Sequence, residues 1–282
     1  MSPGALTAKS VGEDAWGGAA AGPANHERTM TIRLVISGAC GRMGQAIARC
    51  ALVDSVFTVG AALEATGHQA AGKDYASILG HPAGSSVAVS TDAKAALAQG
   101  DVLIEFTSPE ATVKHVQLAQ EARKPMVIGT TGLAEAELLS LRNAAKIIPI
   151  VFSPNMSVGV NVLFEIAQLA CQRLGTSYEV EIVEAHHKHK KDAPSGTAKR
   201  LAEVVAAARQ QPASGVPVHA IRAGDIVGDH TVILAGPSER LELTHRAHNR
   251  EVFAQGALRA AQFVVKQKPG LYDMSHVLKK SD

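Results

Sequence analysis

The sequence predicts an α/β fold: a doubly wound parallel sheet, followed by a smaller α+β part with an open mixed sheet. Three observations carry this. Short apolar strands alternate with helical segments from Ile32 to Phe152, as strand–helix–strand units of a parallel sheet do. Glycines stand at every third position just after the first strand, at Gly38, Gly41 and Gly44. Beyond about residue 155 the pattern changes to a long helix and alternating strands, which marks a different kind of layer.

The elements follow in order. Ile32 to Ser37 (IRLVIS) is an apolar, β-branched run, read as a buried parallel strand. Arg42 to Val53 has helical spacing, with Ile47, Ala48 and Ala51 on one face. Val56 to Leu63, Val102 to Phe106 and Met126 to Ile128 read as strands, 109–122 and 134–146 as helices, and Ile147 to Phe152 as the next strand. Ser157 to Leu174 is a helix with Val158, Val162, Ile166 and Leu169 at helical spacings. Tyr178 to Ala185 begins by alternating, with Val180 and Ile182 opposite Glu179 and Glu181, as a half-exposed strand does. Ala198 to Arg209 is an Ala-rich helix, and Gln210 to Gly215 (QQPASG) a surface loop. Val216 to His245 is strand-rich, with turns at 223–225 and 236–238, so a mostly antiparallel sheet is expected there. Such a sheet offers a flat face for oligomerisation.

Composition excludes several classes. At 282 residues, 46% hydrophobic and 19% charged, the chain is a folded protein with room for two domains. A formal charge of +2 gives no overall field toward nucleic acid or membrane. There is no apolar run of about 18 residues, so no membrane span is expected. Cys40, Cys50 and Cys171 form no CxxC pair and no even disulfide framework, which suits the cytoplasm. Residues 1–29 are rich in Gly and Ala without periodicity. They are expected to be a disordered or non-native extension, with Met30 as an alternative start.

The glycine turn, Gly38-Ala39-Cys40-Gly41-Arg42-Met43-Gly44, sits between a strand and a helix. Glycine there permits positive φ and close approach to a pyrophosphate, and the helix start offers free N–H groups. This is the context of a Rossmann-type dinucleotide site. Glu64 ends the second strand, where a carboxylate accepts from ribose hydroxyls and disfavours a 2′-phosphate. Arg42 offsets part of that repulsion, so NADH is expected to serve well without excluding NADPH. Phe106-Thr107 and Gly129-Thr130-Thr131 follow later strands, where ligands bind in doubly wound sheets; ordinary turns are the alternative. Ser153-Pro154-Asn155-Met156 lies at the junction and is placed to contact a nicotinamide.

The second motif is Glu184 to Thr197, EAHHKHKKDAPSGT, with three histidines and three lysines in His186 to Lys191. A metal site is disfavoured, because His186 and His187 diverge if the strand continues and no cysteine is near. Nucleic acid is disfavoured, because aromatic residues are only 4% of the chain. A solvated charged loop remains open. The favoured reading is a site for a small dicarboxylate. Ser195, a fair N-cap, is counted with Gly196 and Thr197 as substrate-binding, and Gly196 and Thr197 expose N–H groups that hold a carboxylate. Lysine and histidine add charge-assisted bonds, and spacing alone does not separate the roles of His186, His189 and Lys190.

Through EAHHKHKKDAPSGTA, GACGRMG and GTTG, the chain resembles the 4-hydroxy-tetrahydrodipicolinate reductases, also called dihydrodipicolinate reductases. The likeness runs from Thr31 to the C-terminus and includes SVGVN, RAGDIVGDH and GLYDM. It implies NADH- or NADPH-dependent reduction of 4-hydroxy-tetrahydrodipicolinate to tetrahydrodipicolinate with loss of water, on the diaminopimelate route to lysine. It implies His186 and Lys190 as catalytic proton carriers and His187, Gly196 and Thr197 as substrate contacts. Gly38 to Met43, Glu64, Gly129 to Thr131 and Ser153 to Met156 are the implied cofactor contacts. It further implies a dinucleotide domain over 30–156 completed by about 266–282, a substrate domain over 157–265, and a homotetramer. Two departures stand out. Ala65 takes the place of an arginine that pairs with the 2′-phosphate in many relatives, and a loop before Arg222 is shortened. A related dehydrogenase of an amino or imino dicarboxylate, and a non-catalytic nicotinamide-binding regulator, are the competing readings; retention of both His186 and Lys190 favours catalysis over the latter.

Overall fold

The computed structural model describes residues 31–81 and 87–279, so the expectation for 1–29 lies outside the described residues. The first half is a run of alternating strands and helices: β1 (Ile32–Ser37), α1 (Arg42–Leu52), β2 (Phe57–Leu63), α2 (Tyr75–Leu79), β3 (Val89–Ser90), α3 (Ala93–Ala98), β4 (Val102–Glu105), α4 (Pro109–Glu121), β5 (Met126–Ile128), α5 (Glu135–Ala144) and β6 (Pro149–Phe152). Then come α6 (Val158–Leu174), β7 (Glu179–His186), α7 (Gly196–Arg209), β8 (Val218–Arg222), β9 (Gly228–Ala235), β10 (Arg240–Ala247), α8 (Glu251–Val264), β11 (Gly270–Tyr272) and α9 (Met274–Leu278).

Two sheets result. The larger has seven parallel strands in the order β11-β6-β5-β4-β1-β2-β3. Strand β1 is flanked by β2 on one side and β4 on the other, so the winding reverses beside it and opens a crevice at the strands' carboxyl ends. The central strands are buried on both faces: β4 and β5 along their whole length, β1 except Arg33. One face packs on α1 and α8 through Ile47, Ala48, Ala51, Ala257 and Ala261; the other packs against α4 and α5 through Val116, Ala119 and Leu141. The tail strand β11 pairs with β6.

The smaller sheet has four strands in the order β10-β9-β7-β8. Alternate residues Val180, Ile182, Val232 and Leu234 face α6 and α7 and are buried with Leu163, Ala167, Leu201 and Val205. The expectation of a mostly antiparallel sheet holds for β7–β9 and β9–β10, but β7 and β8 run parallel. Between β7 and β8 the chain crosses over through α7, and a helical crossover returns the next strand in the same direction.

Other differences have identifiable causes. The helix over 158–174 forms, but Val162, Ile166 and Leu169 are 38%, 45% and 51% exposed, while Val160, Leu163, Ala167 and Cys171 are buried. This helix is apolar on two stripes, and periodicity does not say which one its own chain covers. Ile147 belongs to the turn before β6 and is 40% exposed. Helix α8 had no counterpart in the sequence reading, although Ala254, Ala257, Leu258, Ala261 and Val264 carry helical spacing and are buried. It passes close to the junction: a Cβ on Gly256 would lie 1.7 Å from the Met156 carbonyl oxygen, so only glycine allows this approach.

Candidate active site

The glycine turn has the shape a dinucleotide needs. Gly38 has φ +66°, and a Cβ there would crowd the Phe106 carbonyl oxygen at 3.0 Å. A Cβ on Gly44 would meet the Gly38 oxygen at 2.2 Å, so α1 closes tightly on the turn. Gly41 precedes α1 with no side-chain cap and no acidic residue in the first turn, leaving the positive end of the helix open to an anion. Glu64 reaches across, and its Oε1 accepts from the Cys40 N–H at 2.7 Å. Gly38, Cys40, Gly41, Glu64, Phe106 and Thr107 border one cleft of about 770 Å3, which also takes in Ala65, His68 and Lys114. Ala39 and Ser153 lie beneath these surfaces rather than on them: Ala39 is buried and accepts from Tyr75 Oη, and Ser153 Oγ donates to the Asn155 carbonyl.

A buried carboxylate sits under this cleft. Glu105 ends β4, is fully buried, and accepts from Thr107 Oγ1 and, at 2.6 Å, from His115 Nδ1. Ser37, its register partner on β1, approaches the same nitrogen at 3.3 Å. The sequence reading passed over this pair, because an acid inside an apolar strand gives no periodic signal of its own.

The basic segment leaves β7 at His186. The same alternation that buries Val180 and Ile182 buries Glu184 and His186 on that face. Glu184 Oε1 accepts from Arg222 Nη2 at 2.7 Å and from the Ser195 N–H at 3.1 Å; Oε2 accepts from Arg222 Nη1 at 2.9 Å and pairs with His186 Nδ1 at 2.5 Å. Burial pushes the Glu184 carboxyl up, but the bonds from Arg222, His186 and Ser195 outweigh it and hold the group below its usual range. Burial pushes His186 down, and Glu184 only partly offsets this, so the imidazole is neutral at pH 7. Arg222 Nη2 also donates to the Asp192 carbonyl at 2.5 Å, and Asp192 Oδ1 lies 2.9 Å from Lys190 Nζ. Arg222 and Glu184 carried no role in the sequence reading; extending the alternation of Val180 and Ile182 by two steps would have marked Glu184.

Helix α7 starts at Gly196, two residues earlier than the spacing predicts, with Ser195 as its N-cap accepting from the Ala198 N–H. Ser195 is buried, and its Oγ is 3.2 Å from His230 Nε2. Gly196 is exposed, and Thr197 Oγ1 accepts from Asn155 Nδ2 at 2.9 Å, tying the helix start to the 153–156 segment. The two halves meet in a cleft of about 490 Å3. It is bordered by Arg42, Met43, Phe106, Thr107, Gly129, Thr130, Thr131, Pro154, Asn155 and Met156 from one side, and by His186, His187, Lys190 and Thr197 from the other. His186 and His187 border the same cleft because β7 ends at His186 and the chain turns. Arg250 and Phe253, missed in the sequence reading, complete the wall. His189 lies aside, in a smaller basic recess with Arg42 and Arg250. Among the described residues, no group of three His, Cys, Asp or Glu side chains is placed to hold a metal ion.

Known proteins match this arrangement along most of the chain. Residues 32–156 match the family model described as dihydrodipicolinate reductase, N-terminus, and residues 159–278 the model described as dihydrodipicolinate reductase, C-terminus. A 4-hydroxy-tetrahydrodipicolinate reductase from Syntrophus aciditrophicus is 42% identical, covering 88% of this chain and 98% of that one. The chain belongs to the dihydrodipicolinate reductase family. A second relative of the same name, from Anaeromyxobacter dehalogenans, is 46% identical over 87% of this chain and 97% of its own. A dipicolinate-bound dihydrodipicolinate reductase from a Paenisporosarcina species superposes with a TM-score of 0.73 at 25% identity, over 88% of this chain and all of that one.

For a reductase of this family the buried histidines predict acid sensitivity. Burial pushes His230 down to about 3; the His186, His245 and Lys190 charges push the same way and Glu184 opposes. The unfolded chain takes up this proton near 6.5 and the folded chain only near 3, so stability falls as pH drops between those values. At pH 5 the loss from this group is about 2 kcal/mol. Glu184 adds a loss only below its unfolded value near 4.5. Thermal melts from pH 7.5 to 5 should show a falling Tm that is flattened in His230→Gln; an equal slope in both proteins would remove His230 as the cause.

Proposed function

We propose that this chain reduces 4-hydroxy-tetrahydrodipicolinate to tetrahydrodipicolinate, with loss of water, using NADH or NADPH, in the diaminopimelate route of lysine biosynthesis. The observation that carries this reading is the shared cleft, in which the glycine-turn side faces His186, His187, Lys190 and Thr197. The crevice residues fit a dinucleotide: the open start of α1 suits a pyrophosphate, and Glu64 stands at the strand end where ribose hydroxyls are held. A bound nicotinamide cofactor supplies the hydride.

The remaining work falls to side chains of the chain itself. The substrate class carries two carboxylates. Lys190, His187 and the N–H groups of Gly196 and Thr197 offset their charge at the start of α7. Asn155 bridges to Thr197 and keeps the two sides of the cleft in register. Hydride addition leaves negative character on the ring, and Lys190 is the group that quenches it with a proton. Neutral His186 borders the same space and accepts a hydrogen bond there. Ser195 acts from beneath, as cap, because its N–H and Oγ are already engaged.

The deciding assay follows NADH and NADPH oxidation with substrate formed in situ from pyruvate and aspartate semialdehyde by the preceding synthase. Oxidation that depends on the synthase is expected. With Glu64 and Ala65 at the ribose end, kcat/KM for NADH should at least match that for NADPH; a preference for NADPH of about a hundredfold would overturn the role of Glu64. Lys190→Ala should lower kcat by about a hundredfold with nicotinamide affinity unchanged; wild-type turnover removes Lys190 from the chemistry.

The reading extends to a homotetramer. The outward face of the four-stranded sheet supports it, since β8 leaves Ile221 exposed there, on the side opposite the buried Ile182 and Glu184. Light scattering should give the mass of four chains, and a monomer overturns it. A cytoplasmic location accords with three unpaired cysteines, and recovery from a secreted fraction would contradict it.

A further inference from the structure

Glu184 is fully buried beside the cleft, and no step above assigns it a task. A carboxylate in that position is costly unless compensated. Here Arg222 compensates it with a two-pronged contact, at 2.7 Å and 2.9 Å. A plain structural ion pair would end there. Instead the same two oxygens also take the Ser195 N–H at the head of α7 and His186 Nδ1. The first of these fixes the backbone that presents Gly196 and Thr197. The second decides where the imidazole carries its proton. A neutral histidine beside an ionised carboxylate donates through the nitrogen that faces it, leaving the other nitrogen as an acceptor.

We propose that Glu184 is a positioning residue for the reaction: it holds His186 in the tautomer with the proton on Nδ1 and the lone pair on Nε2, and it locks the start of α7 to that histidine. The inference rests on the reading of His186 and Lys190 as the proton-handling pair. Its consequence is a division of labour. His186 enters the cleft as a hydrogen-bond acceptor, and Lys190 brings the proton. Two further contacts agree. Gly228 lies against His186, where a Cβ would approach Nε2 to 3.1 Å, so a side chain there would press on that nitrogen. Arg222 continues from Glu184 to the Asp192 carbonyl, and Asp192 holds Lys190, so one chain of contacts sets both groups.

Two measurements test this. Nitrogen NMR of the wild-type protein, with the His186 signals assigned by their loss in His186→Gln, should show Nδ1 protonated and Nε2 bare. An Nε2-protonated ring overturns the proposal. In kinetics, Glu184→Gln alone strands the buried Arg222 charge, so it is paired with Glu184→Gln/Arg222→Met, which removes both charges together. The double variant should lose about a hundredfold in kcat while cofactor affinity stays unchanged. Adding the same two changes to His186→Gln should cost clearly less in kcat than adding them to the wild type, because part of their effect passes through that imidazole. A folded double variant with wild-type kcat overturns the proposal. If the wild-type protein itself fails to reduce the substrate, the functional reading falls, and the tautomer measurement still decides the role of Glu184.

Discussion

A carboxylate with no access to water must find its hydration shell within the protein, and the geometry around Glu184 follows from that requirement. Two donors come from Arg222 at the end of β8, one from the backbone ahead of α7, and one from His186. None of these lies close in sequence except His186. Satisfying one buried group therefore draws three separate segments to one point, and that point is the rim of the cleft. Breaking such an arrangement by removing one partner costs about 3–5 kcal/mol.

The dinucleotide side repeats the arrangement in a second place. Glu105, also without solvent, ends β4 where the winding of the larger sheet reverses, and it is held by His115 and Thr107. Thr107 in turn donates its N–H to Thr130 Oγ1, which also accepts from Thr112. The turns after β4 and β5 are thereby fixed to each other, and Phe106 and Thr107, held beside Thr130, border both clefts. Both buried acids sit near the carboxyl end of a strand, Glu105 between parallel neighbours and Glu184 beside the parallel β8.

Much of this was legible in the sequence, for physical reasons that differ by residue. Gly38, Gly41 and Gly44 could be read because close backbone approach excludes other residues, and that constraint leaves a spacing. Val180 and Ile182 could be read because a half-buried strand alternates. Helix α6 could be read from its spacing but its buried side could not, because Val162, Ile166 and Leu169 have the same kind of spacing as the buried set. Helix α8 carried a spacing that was passed over. Arg222 and Arg250 left no local signal, since each meets residues distant in sequence, and Glu105 left none because one acid ending an apolar strand has no period of its own. Ser195 was legible as a cap but not as an inward-facing one, because that depends on Glu184 and His230 arriving from other strands.

The balance of costs bears on why the charged cluster exists. Replacing a buried ion pair by apolar groups of similar volume is often neutral or stabilising, so stability alone does not account for Arg222 and Glu184. Their neighbours sharpen the point. Among the described residues, His230 and His245 each bury an Nδ1 with no protein partner, as Arg222 does its Nε. The cluster thus places charge beside the cleft, while at the other end of the same sheet Val180, Ile182, Val232 and Leu234 join the apolar cluster under α6 and α7. Along β7 the change from apolar to charged occurs between Ile182 and Glu184, one step of the alternation before the chain leaves the sheet at His186. The fold is supported by the first part of the strand, and the second part, carrying Glu184 and His186, is left to hold an imidazole and a helix end in fixed relation to the space where a dicarboxylate is to be reduced.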